Sequence, residues 1–181
     1  MGAVRCALAL ALLMGGAPSA RAGDPVPPRR RCFTAEKEEA VEACGAALQA
    51  GLGARAAAVV RQVLLATLVE LSRLPEAVAL LRAAAAAAPA DAAAQLELGA
   101  ALLHFADAAD DALVPLQAAV QLRPGDARAY GELGLALHRL GQYPEAVAAF
   151  GEAERLDPAY FEDRPAAAAI YEAAKRGQPW P

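Results

Sequence analysis

From Thr34 onward, apolar and small residues recur at helical spacing almost without interruption. Tyr130, Leu133, Gly134 and Leu137 stand at i, i+3, i+4 and i+7, one face of an α-helix. Leu140-Gly141-Gln142-Tyr143-Pro144 then reads as a turn, Ala146, Phe150 and Ala153 form a second stripe, and Pro158 closes the unit. The same stripe lies 34 residues earlier, at Ala112, Leu116, Ala119 and Pro124, and a further 35 earlier, at Ala77, Leu81, Ala84 and Pro89. Gly99 precedes Gly134 by 35, so the middle unit carries one extra residue in its turn. In the first unit the partner helix holds Leu64, Leu68 and Leu71, and Leu65 fills the small slot. The turn Leu74-Pro75-Glu76-Ala77-Val78 nearly copies Tyr143-Pro144-Glu145-Ala146-Val147.

A repeat of this length predicts antiparallel helix pairs that bury a continuous core only by stacking on one another. The glycine and alanines let two helices approach, Leu and Phe fill the space between them, and the proline ends each pair. The expected repeats span 58–91, 92–126 and 127–160. Ala40, Cys44 and Ala47 echo the second-helix stripe, so 35–50 reads as a half repeat. Arg164 and Pro165 lead into a capping helix at 163–176, with Ile170 and Ala174 four apart, followed by a tail at 177–181. The expectation is an all-α, antiparallel helix-pair solenoid over 35–176 with eight helices and no strands.

Across residues 56–160 this pattern resembles the tetratricopeptide repeat (TPR) family, in an exported bacterial form. The resemblance implies a non-enzymatic scaffold or adaptor that binds a peptide or helix in the concave groove formed by the first helices. Family members that grip a C-terminal carboxylate use a lysine- and asparagine-rich groove. Here Lys37 and Lys175 lie outside it and the chain has no Asn, so that clamp is not carried over.

Composition narrows the reading. Hydrophobic residues reach 57% while aromatics are only 5%, and much of the apolar count is alanine, which favours close-packed helices over a sheet sandwich. A formal charge of −4 argues against a nucleic-acid surface. Residues 1–22 read as a signal peptide: Arg5 before the apolar run Cys6–Met14, then Ala20-Arg21-Ala22 as a cleavage site. Cleavage after Ala22 would leave a periplasmic or secreted protein with no stable membrane span, and loss of Arg5 and Arg21 would take the formal charge to −6. Residues 23–34, rich in Pro and Arg, read as an extended, exposed lead-in. Cys32 and Cys44 then remain. A helix starting at Thr34 would hold them too far apart to pair, and one starting nearer Glu38 would let Cys32 fold back.

No phosphate loop, nucleophile elbow or same-helix histidine pair occurs, and no cofactor is implied. His104 and His138 stand 34 residues apart on neighbouring first helices, with Glu97 and Glu132 nearby. They read as polar residues of a groove, with a small metal-assisted enzyme as the remote alternative. The acidic turn Asp107–Asp111 lacks the ligand spacing of a calcium loop and reads as a solvated turn with Asp capping the next helix. The faces opposite the buried stripes define a candidate protein-binding groove: Gln62, Glu70, Leu96, Glu97, His104, Arg128, Glu132, Leu135, His138 and Arg139, with Ala66, Val69 and Ala100 between them. A docking module of an envelope complex, without a peptide groove, is the other reading.

Overall fold

A computed structural model describes residues 28–52 and 54–179; the expected signal peptide and the first part of the lead-in, residues 23–27, lie outside the described residues. The described residues form nine helices and no strand: α1 Pro28–Thr34, α2 Lys37–Gln49, α3 Ala54–Glu70, α4 Leu74–Ala87, α5 Ala92–Phe105, α6 Ala109–Leu122, α7 Ala127–Arg139, α8 Tyr143–Leu156 and α9 Pro165–Lys175. The fold is all-α and built from adjacent helix pairs. It divides into two compact units at Leu74/Pro75.

In the first unit α1 and α3 both pack on α2. Helix α1 is the ninth, unexpected element, and it corrects the extended lead-in. Pro28 opens it, a position where no backbone N–H is needed and the fixed φ suits a helix. Cys32 and Phe33 are then buried, and Cys32 is disulfide-bonded to Cys44 with the Cα atoms 4.6 Å apart. The bond is possible because α2 begins at Lys37, which lets the chain fold back along the helix. Arg31 pairs with Glu39, and the Arg29 side chain lies outside the description.

In the second unit α5 packs on α6, α7 on α8, and α9 on both α8 and α7. The second-helix stripe is buried as the repeat requires: Ala77 and Leu81; Ala112, Leu116 and Ala119; Ala146, Phe150 and Ala153; Ala84 is half-buried. The two expected small positions are points of close approach. A Cβ on Gly99 would lie 2.5 Å from Leu116 Cγ, and one on Gly134 would lie 2.8 Å from the Phe150 ring.

The three first helices α3, α5 and α7 all end through a left-handed residue, at Ser72, Asp107 and Gly141 (φ 57°, 50° and 73°). Reversed hydrogen bonds close two of these ends in the same way, Arg73 N–H to Leu68 C=O and Gln142 N–H to Leu137 C=O. The middle one reaches a residue further, from Ala108 N–H to Leu102 C=O, and this is where the extra residue of that repeat is absorbed. Asp91 and Asp126, also 35 apart, cap α5 and α7 by accepting from Ala93 N–H at 3.0 Å and Arg128 N–H at 3.1 Å.

Candidate functional site

The second unit contains a groove of about 1080 Å³ between α7 and α9, with the end of α5 along one side. Its apolar lining comes from Leu135 and Leu140, from Tyr143 and Tyr160, and from Pro165, Ala167 and Ile170 on α9. The aromatic cluster beneath α9 fixes that wall: Phe161 stacks on Tyr171 at 5.3 Å, and both rings contact Phe150.

Charged residues at the rim are tied to one another. His104 Nε2 lies 2.8 Å from Glu132 Oε2, joining α5 to α7, and the Glu132 side chain is only 13% exposed. Arg139 donates to the Leu103 carbonyl at the end of α5 and to Asp107 Oδ1 at 3.0 Å. Asp107 therefore caps nothing. The residue at the N-cap of α6 is Ala108, with no side-chain cap, which corrects the expectation of an Asp cap. Asp107 instead holds its strained backbone while its carboxylate ties the turn to α7.

Tyr160 deepens the groove. Its ring lies over Gly131 on α7, where a Cβ would fall 1.7 Å from the phenol oxygen, so only glycine admits it. The Arg164 guanidinium sits 4.5 Å from the ring centroid and donates to the Tyr160 carbonyl at 3.0 Å. Burial, and then the negative charge of Glu132, push the phenol up to about 12.

Of the ten residues expected in a groove, His104, Glu132, Leu135, His138 and Arg139 line this one. Leu96 does not: it is 6% exposed, and Ala100 is buried with it. Helix α5 is covered on almost every side, so the single polar stripe assumed for it is interrupted. Glu97 and Arg128 are exposed and do not line the groove, although Arg128 approaches Glu132 at 4.0 Å. Gln62 and Glu70 belong to the first unit, where Glu70 pairs with Lys37 at 2.9 Å. His138 is buried at 4% exposure, and its Nε2 lies 3.0 Å from the Gln178 carbonyl. The two histidines thus face different partners, and no group of three His, Cys, Asp or Glu side chains poised for a metal occurs among the described residues. Tyr160, Arg164 and Ile170 were absent from the expected groove because the stretch after Pro158 reads from sequence as a cap, and Tyr143 because it reads as part of a turn. The signal that could have marked Tyr160 is Gly131, a second glycine on the helix of Gly134, which makes room for its ring.

No protein-family model matches the chain, and no curated protein matches it. Solved structures do. MamA is similar with a TM-score of 0.60 at 20% identity, over 86% of this chain and 96% of that one. MamA from Desulfovibrio magneticus RS-1 gives 0.58 at 24%, over 83% and 86%. YrrB, described as a TPR protein with an unusual peptide-binding site, gives 0.57 at 24%, over 86% and 87%. In-register sequence repeats, pairwise helix packing and this likeness converge: the chain has the tetratricopeptide-repeat fold.

Proposed function

We propose that this chain is an exported, non-enzymatic scaffold that holds a segment of a partner protein, as an extended peptide or a helix, in the α7–α9 groove. The observation that carries the reading is the groove itself. An apolar floor wide enough for side chains is rimmed by charges already fixed to one another, so a partner meets a preformed surface rather than one that must be ordered first. YrrB, a protein of the same fold with a peptide-binding site, supports the class of ligand. Export is supported by the layout of residues 1–22 and by the Cys32–Cys44 disulfide, a bond that persists in oxidising compartments.

The test compares the full chain with two variants as bait on envelope extract. Leu135→Asp places an unpaired charge on the groove floor, and Val114→Asp places one on α6, where Val114 is 73% exposed. The proposal expects a partner retained by wild type and Val114→Asp and lost by Leu135→Asp. Retention by all three contradicts it and turns attention to a docking module that uses another face. N-terminal sequencing of the exported protein should begin at Gly23; intact Met1 in the cytoplasm would contradict export.

A further inference from the structure

One end of the groove is closed by a piece of its own chain. After α9, Gly177 adopts φ 63°, with its N–H on the Ala174 carbonyl and that of Gln178 on the Ala173 carbonyl. This turn lays Gln178 across α7. Its carbonyl lies 3.0 Å from His138 Nε2, and Pro179 joins the groove lining. A carbonyl only accepts, so His138 carries its proton on Nε2. His138 is buried, and its ring is steadied by Tyr143, with centroids 5.3 Å apart. A buried donor without an acceptor is costly. The acceptor here is a backbone carbonyl that precedes proline, and proline holds the preceding residue extended.

We infer that the His138–Tyr143 end of the groove is a seat for an extended Xaa-Pro segment, filled in this chain by Gln178–Pro179, which a partner's Xaa-Pro segment displaces. This rests on the groove being a binding site. The occupant follows from three observations: an apolar lining that suits a proline ring, a buried donor aimed at the carbonyl before it, and an internal segment of that chemistry in place. Tethering holds the internal segment at a local concentration of about 1 mM or more, so it competes with any free peptide.

The probe is a fluorescent peptide of residues 176–181, measured by anisotropy. The chain stopped after Arg176 should bind it at least tenfold more tightly than the full chain. Gly177→Val in the full chain provides a second route. A Cβ there meets nothing within 4 Å, but valine resists positive φ, so the turn opens without disturbing the core. It should bind the peptide as the shortened chain does. Adding His138→Phe to the shortened chain should weaken binding about fivefold, as should Pro179→Gly in the peptide. Circular dichroism confirms folding in each case. Equal binding by full, shortened and Gly177→Val chains overturns the inference, as does indifference to Pro179→Gly. If that happens while Leu135→Asp still abolishes partner capture, the groove reading stands alone. If the peptide binds as expected while partner capture ignores Leu135, the seat stands and the proposed partner site falls.

Discussion

In the last repeat the paired helices approach closely at Gly134 against Phe150, and one added methyl group tests that contact. A Cβ on Gly134 would lie 2.8–2.9 Å from three ring atoms of Phe150. Carbon atoms pack best at about 3.5–4.0 Å, so the helices or the ring must yield by about 0.7 Å or more. The ring is fully buried and backed by Phe161 and Tyr171 at 6.0 and 5.4 Å, so it has nowhere to go. Overpacking of this kind costs about 1–3 kcal/mol. Alanine recovers about 1 kcal/mol of helix propensity, so Gly134→Ala should be net destabilising by up to about 2 kcal/mol. Gly151→Ala, inside α8 of the same unit, is the control. Its Cβ would meet only the Tyr171 hydroxyl at 3.6 Å, an ordinary contact, so the change should stabilise by about 0.5–1 kcal/mol. Thermal melts by circular dichroism should separate the two variants by about 2 °C or more. In a Phe150→Leu background the Gly134→Ala penalty should shrink, a coupling readable by double-mutant cycle. If Gly134→Ala melts as high as Gly151→Ala, the helices do not approach as described and the register of the last repeat is wrong.

Reducing the Cys32–Cys44 bond, which closes a loop of sequence separation 12, should lower first-unit stability by about 3 kcal/mol in urea titrations with and without reductant; no change would mean that the bond does not form in solution. Tyr160 should ionise near 12 rather than 10, visible in absorbance titrations against Tyr160→Phe. Its raised value means that stability is unaffected below pH 10 and falls as pH rises from about 10 to about 12, where the unfolded chain has already lost that proton; a Tyr160→Phe variant with the same slope would refute the assignment. With a partner in hand, Leu135→Ala should mainly speed dissociation, while reversing Glu132 and Arg139 together should mainly slow association and alter its salt dependence. That reversal also removes the Arg139 contact to the Leu103 carbonyl, so its folding must be checked first.

The helix pairs of the second unit were legible because the repeat writes the same packing problem there twice. Ala112, Leu116 and Ala119 face the partner helix for the same reason as Ala146, Phe150 and Ala153, and a period near 34 exposes the register. Helix α1 was illegible because a Pro- and Arg-rich composition signals extension, while the burial of Cys32 and Phe33 that stabilises it is a tertiary effect. Leu96 was misplaced for a related reason. Helical periodicity gives one buried face, and α5 is covered on more than one. The left-handed turn after each first helix announces itself only at Gly141; Ser72 and Asp107 carry the same conformation without the glycine that would mark it. The α9 wall and the seated Gln178–Pro179 segment depend on contacts between residues 21 and 40 positions apart, Phe150 with Tyr171 and His138 with Gln178, which no local pattern encodes.

The central claim, that a partner segment lies in the α7–α9 groove, is tested most directly by site-specific photocrosslinking in cells. A photoreactive residue replaces Leu135 on the groove floor in one variant and Val114 on exposed α6 in the other. A discrete adduct of one partner is expected from position 135, absent from position 114, and lost from position 135 when an excess of the partner's own segment is added. Adducts from position 114 alone, or the same adducts from both positions, would contradict it.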